Sequence, residues 1–198
     1  MPKRILYKYR TASPRLQNWD YTRNADYFVT ICTQNREDFF GKITGGRMQL
    51  SAIGQIAGKF WNEISVHFPF VELGDFVVMP DHMHGIIMIR QINQGVETGR
   101  YVACNVSTGD HISTPNACNV STENNPSKND FMSAISPKPG SLPAMVRSYK
   151  SAITKWCNAN GHKYFAWQRG YYEHIIRNRG EFGRIEEYIR NNPDKYEE

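Results

Sequence analysis

Residues Phe70 to Gln91 read FVELGDFVVMPDHMHGIIMIRQ, two largely apolar runs, Phe70–Met79 and Met83–Gln91, on either side of Pro80-Asp81. Proline presets the backbone for a tight turn and aspartate bonds to nearby amides, so the stretch predicts a β-hairpin. Upstream, YFVTICT at Tyr27 to Thr33 is rich in β-branched and aromatic residues and predicts a buried strand, with Asn35 and Arg36 as turn material. After a turn at Gly45-Gly46, Ser51 suits a helix N-cap. Ile53, Ile56, Ala57, Phe60, Trp61 and Ile64 follow at spacings of three and four, which predicts an amphipathic helix ending before Pro69.

Downstream, Leu142, Met145, Val146, Tyr149, Ile153 and Trp156 mark a second amphipathic helix ending near Asn158 to Gly161. Tyr171 to Arg177 (YYEHIIR) predicts a strand or extended segment. A last helix is expected from Glu181 to about Asn191, with Phe182, Ile185 and Ile189 as its apolar stripe. The resulting order is strand, helix, two strands, helix, strand, helix. It implies an α+β sandwich of the ferredoxin-like type, an antiparallel sheet with helices on one face.

Two segments stand apart from that core. Residues 1–24 form a basic arm with six basic side chains (Lys3, Arg4, Lys8, Arg10, Arg15, Arg23) against one acidic, Asp20, a surplus equal to the +5 of the whole 198-residue chain. Tyr7, Tyr9, Trp19 and Tyr21 lie among these charges. Such a mixture suits a nucleic-acid arm, neutralising phosphates and stacking on bases, and suits a solvated basic tail equally well. Residues 93–141 are rich in Asn, Ser, Thr, Gly and Pro and repeat ACNVST at Ala103–Thr108 and Ala117–Thr122. This composition buries too little apolar surface to offset its ordering entropy, so it reads as a low-complexity insert in a single domain spanning 25–198.

The four cysteines, at positions 32, 104, 118 and 157, have no CxxC spacing and read as reduced thiols. No run of about 18 apolar residues could span a membrane, and the polar, basic N-terminus lacks the apolar stretch of a signal peptide. A cytoplasmic protein that makes no use of a membrane is expected.

The tripeptide His82-Met83-His84 carries the strongest chemical signal. On a strand alternate residues share a face, so both imidazoles point the same way and could chelate one divalent ion. Two surface or turn histidines fit the same tripeptide. On the last helix, Tyr188 and Asn192 are one turn apart, and Pro193 places Asn192 at the helix end. The pair suits a phenol facing a substrate beside an amide ligand, but spacing alone favours a half-buried aromatic with a C-terminal cap. A zinc hydrolase would need further metal-binding side chains just downstream, where His84 is followed instead by GIIMI.

Four segments together resemble the REP-associated tyrosine transposases, a branch of the single-tyrosine HUH insertion-sequence transposases. They are YFVTICTQNRE at 27–37, FVVMPDHMHGII at 76–87, SYKSAITKW at 148–156, and WQRGYYEHIIRN followed by EYIRNNP within 167–193. The resemblance implies that His82 and His84 hold a divalent metal, Mg²⁺ or Mn²⁺, that Tyr188 is the nucleophile, and that Asn192 supplies a third, amide ligand. Tyr171 and Tyr172 compete for the nucleophile's role. Lys3, Arg4, Lys8, Arg10 and Arg169 are implied in DNA contact, with Trp167, Gln168 and His174 as support. A phenol with a pKa of about 10 is a weak nucleophile at neutral pH, and a metal beside the phosphate would offset that weakness. The implied partner is single-stranded DNA folded into a hairpin, bound by a monomer or a homodimer. A DNA-binding protein without cleavage activity is the alternative.

Overall fold

The computed structural model describes Leu16 and residues 18–91 and 136–195. Strand β1 (Ala25–Cys32) leads through a 3-10 turn (Gln34–Arg36) to a small hairpin, β2 (Gly41–Thr44) and β3 (Arg47–Leu50). Helices α1 (Ala52–Asn62) and α2 (Ile64–His67) follow, then β4 (Val71–Val78) and β5 (His82–Ile89). Beyond residue 136 come α3 (Leu142–Ala159), β6 (Tyr172–Ile176), α4 (Arg179–Arg190) and a last turn, α5 (Asn192–Lys195).

Strands β4-β5-β1-β6 form one antiparallel sheet in that order. Leaving out the β2–β3 hairpin, which pairs only with itself, this is the split β-α-β arrangement of the ferredoxin-like sandwich. Ser51 caps α1 by accepting from the Gly54 amide at 3.1 Å, and Pro143 occupies the first turn of α3, where its missing N–H costs nothing.

Alternation along the strands sends side chains to two different layers. Tyr27, Val29 and Ile31 of β1 and Met83, Ile87 and Ile89 of β5 pack against α1 and α3, with Trp61, Met145, Tyr149 and Ile153 completing the main core. Gly85 lies in this layer directly beneath Trp61. A Cβ there would fall 2.3 Å from the indole Cζ2, so only glycine lets the ring lie flat on the strand. The Tyr149 hydroxyl donates to the Ala57 carbonyl at 3.0 Å, joining the two helices over the sheet.

The opposite face carries Phe28, Val77, Ile86, Met88 and Ile176, and α4 covers it with Phe182, Ile185 and Ile189. The expectation of helices on one face therefore holds for α1 and α3 and is corrected for α4. An apolar stripe shows that a helix packs, not on which side of a sheet it does so. The β2–β3 hairpin is a second departure, since the sequence marks only its Gly45-Gly46 turn. Both glycines have positive φ, 58° and 69°, as a two-residue hairpin turn requires.

Candidate active site

β5 begins with His82, and its register sets the site. His82 lies opposite Cys32, and His84 lies opposite Thr30 on β1 and Val77 on β4. Both imidazoles emerge on the α4 face and are buried. Their Nε2 atoms stand 3.1 Å apart, while Met83 between them faces the main core.

Each ring is held from behind. His82 Nδ1 lies 2.5 Å from Asp81 Oδ1, and the Arg36 guanidinium donates to the other carboxylate oxygen at 3.1 Å. His84 Nδ1 lies 2.8 Å from the Thr30 hydroxyl, and Phe28 stacks on the ring at 5.2 Å and 22°. A carboxylate accepts only, so His82 carries a proton on Nδ1 toward Asp81 and turns Nε2 toward His84. His84 carries its own on Nδ1 when Thr30 accepts. Burial, then the neighbouring His82 and Arg36, push the His84 pKa down to about 3, which keeps this ring neutral at pH 7.

At 3.1 Å the two Nε2 atoms are close enough to share a proton or to bind one cation between them. Two bonds of about 2.1 Å meeting at a right angle would hold their donor atoms about 3 Å apart, so the pair fits two adjacent ligands of one small divalent ion. Among the described residues no cluster of three or more His, Cys, Asp or Glu side chains could hold a metal.

Helix α4 brings Tyr188 to this pair. Its hydroxyl is 3.4 Å from His84 Nε2, and its ring meets His84 at 5.3 Å and the edge of Phe28 at 6.1 Å. The helix is fixed at both ends. At its start, the Asn178 side chain accepts from the Glu181 amide at 2.9 Å, while the Glu181 carboxylate takes the Arg177 amide and His174 Nε2, each at 2.7 Å. The Arg177 amide, followed by His174, holds the Glu181 carboxyl below the usual carboxylate range. At its end, Arg190 pairs with Asp75 of β4 at 2.6 Å. Tyr188 remains 43% exposed, so its phenol can meet a ligand from solvent. Asn192, one turn on, is buried at the start of α5.

The rival tyrosines diverge. Tyr171 packs against the main core, whereas Tyr172 is exposed and lies opposite Thr30, on the histidine side of the sheet. Two strand spacings, about 10 Å, separate its backbone from that of His84. Arg169 is exposed on the turn before β6, and Lys3, Arg4, Lys8 and Arg10 lie outside the described residues. Among the described residues no helix is long and apolar enough to cross a membrane. Asp81, Thr30, Phe28 and Arg36 escaped the sequence reading as site residues. An acidic side chain directly before His-x-His was a usable signal for Asp81, but Thr30 and Phe28 are visible only once the β1–β5 register is known.

No family model matches the chain. An uncharacterised protein of Haemophilus influenzae is 33% identical over 189 residues, which cover 94% of this chain and 89% of that one. The chain belongs to that protein's family. Among solved structures, a REP-associated tyrosine transposase bound to a REP hairpin superposes with a TM-score of 0.52 at 20% identity, over 92% of this chain and 74% of that one. The α+β fold, a four-stranded antiparallel sheet packed against helices, is thus shared with a tyrosine transposase.

Proposed function

We propose that this member of the family is a DNA strand-cleaving and strand-joining enzyme of the single-tyrosine HUH type, acting on single-stranded DNA that carries a hairpin. The observation that carries the reading is the Tyr188 hydroxyl 3.4 Å from His84 Nε2, in a His-x-His pair whose rings are held from behind. His82 and His84 would hold a divalent ion, Mg²⁺ or Mn²⁺, with Asn192 as the candidate amide ligand. Such an ion supplies positive charge that polarises a phosphodiester and stabilises the charge developing on it.

Tyr188 attacks the phosphorus. A tyrosine O–P bond forms as the P–O3′ bond breaks, and the proton lost by the phenol is balanced by the one gained at the departing 3′ oxygen. One phosphodiester is exchanged for another, so the 5′-phosphotyrosine link keeps the bond energy and a 3′ hydroxyl can reverse the step. Asp81 and Thr30 bond to the two Nδ1 atoms, so that both Nε2 atoms face the place where a cation would be held. The two clamps on α4 keep the phenol near its target, so little orientation is lost on reaction. The basic arm, with Lys3, Arg4, Lys8 and Arg10, would neutralise phosphates along the hairpin.

A labelled hairpin oligonucleotide from the gene's own genomic neighbourhood, incubated with Mn²⁺ and run on a denaturing gel, tests this. A covalent protein–DNA adduct is expected for the wild type and Tyr172→Phe and not for Tyr188→Phe or His82→Ala. An adduct that survives in Tyr188→Phe and vanishes in Tyr172→Phe moves the nucleophile to β6. Hairpin binding without any adduct reduces the protein to a DNA-binding role.

A further inference from the structure

Arg36 offers more hydrogen-bonding capacity than its place in the fold uses. Its Nη1 donates to Asp81 Oδ2 at 3.1 Å, and the side chain makes no other hydrogen bond or ion pair with a described residue. A guanidinium carries its N–H donors in one planar fork, so with Nη1 on Asp81 the edge formed by Nη2 and Nε is unused. The side chain is 55% exposed while that of Asp81 is 9% exposed, so the carboxylate lies beneath and the unused edge is open to solvent.

The backbone is strained where it places this side chain. Asn35 and Arg36 have left-handed angles, φ 55° and 59°, a costly succession of non-glycine residues that persists where the surroundings enforce it and that clusters at functional sites. Here the surroundings are the turn before β5. The Thr33 amide donates to the Asp81 carbonyl at 2.9 Å, and the buried Thr33 hydroxyl lies 2.8 Å from the carbonyls of both Asp81 and Glu37.

Position relative to the histidines gives the unused edge a target. Asp81 and Arg36 stand behind His82, whereas the Tyr188 hydroxyl stands beside His84. In a displacement at phosphorus the attacking and leaving oxygens lie roughly in line. A phenol attacking from the His84 side therefore sends the 3′ oxygen, and the nucleotide attached to it, away from Tyr188 toward His82 and Arg36. We propose that Arg36 binds the DNA phosphate one nucleotide to the 5′ side of the cleaved bond. Its open edge takes two oxygens of that phosphate side by side, which suits the arginine fork and not the single point of a lysine. Once the P–O3′ bond breaks, nothing covalent ties the upstream strand to the protein. This contact keeps its 3′ hydroxyl next to the phosphotyrosine for rejoining. The same guanidinium holds Asp81 and through it His82, so the grip on the leaving strand and the histidine pair share one rigid frame.

The inference rests on the strand-cleaving reading of the histidine site, and the test keeps the two apart. Hairpin oligonucleotides with one uncharged methylphosphonate linkage, placed at each position in turn, are incubated with the full-length protein and Mn²⁺. Adduct formation is timed for wild type and Arg36→Gln, and the cleaved bond is located from the length of the released fragment. In the wild type, the neutral linkage one nucleotide 5′ of that bond is expected to slow the adduct about tenfold, through loss of a charge-assisted contact. In Arg36→Gln the same linkage should cost less than about twofold, because the contact is already gone, while other linkages cost what they cost the wild type. A wild type indifferent to that linkage, or an equal penalty in the variant, overturns the assignment. Mn²⁺ affinity of Arg36→Gln should stay within about threefold of wild type, and a larger fall shows that the residue acts only through Asp81 and His82, which overturns it too. If unmodified DNA gives no adduct with the wild type, the strand-cleaving reading fails and this inference with it. An adduct that forms equally well with every linkage sinks this inference alone.

Discussion

The two faces of β5 are built from the same eight residues to opposite ends. Toward α1 and α3 it presents Met83, Gly85, Ile87 and Ile89 to a layer whose largest member, Trp61, leaves no room for a Cβ beneath it. Toward α4 it presents His82 and His84, then Ile86 and Met88 under the helix stripe. One face is closed by packing. On the other, the buried histidines meet a tyrosine still open to solvent. A period of two lets neighbouring residues serve folding and chemistry separately, and substitutions on the two faces should separate in the same way.

The largest effect is expected on the packed face. Trp61→Ala should lower unfolding free energy by about 3–5 kcal/mol in a urea titration, with the adduct yield per folded molecule unchanged. If cleavage falls further than the folded fraction, the faces are not independent. Gly85→Ala should cost about 1–3 kcal/mol through overpacking, and Trp61→Phe in the same chain should recover part of it because the smaller ring vacates the clash.

On the other face, Asp81→Asn should weaken Mn²⁺ binding by about 10–100-fold, measured by electron paramagnetic resonance of the free ion, with a smaller change in stability. An unchanged affinity would remove Asp81 from the site's support. The smallest effect is a slope. Unfolded His84 takes a proton near pH 6.5, whereas the buried ring resists until about pH 3, so between those values the unfolded state binds more protons. Stability of the metal-free protein should therefore fall as pH drops from 6.5 toward 3. Thermal melts in EDTA at pH 7.5 and 5 should show this decline, and it should be shallower in His84→Gln.

Alternation and three-four spacing made the hairpin of β4 and β5, strand β1 and helices α1, α3 and α4 legible, because each depends on local burial. The β2–β3 hairpin was not, since GKIT and RMQL offer short, mostly polar strands on either side of the turn. The face covered by α4 was hidden too: Phe182, Ile185 and Ile189 would pack equally well on either side of a sheet. Within the site, His82, His84 and Tyr188 were visible as chemistry. Asp81 was concealed by its turn-forming role after Pro80, and Thr30 by a pairing across 54 residues of sequence.

The meeting of Asn24, Gln91 and Gly140 has a consequence of its own. Asn24 holds Gln91 from both sides, accepting from its amide at 2.6 Å and donating to its carbonyl at 2.8 Å, while the Gln91 side chain reaches the Gly140 carbonyl at 3.5 Å. The chain at Gln91 and at Gly140 is thus stitched together, and both places lie at the Ile89 end of β5, about 23 Å along the strand from His82. Loop closure grows only slowly more costly with length, so chain can be added or cut away there with little penalty. The molecule has in effect a socket at its far end, a place where sequence can drift, duplicate or carry a fused passenger while the histidines and the tyrosine stay in register.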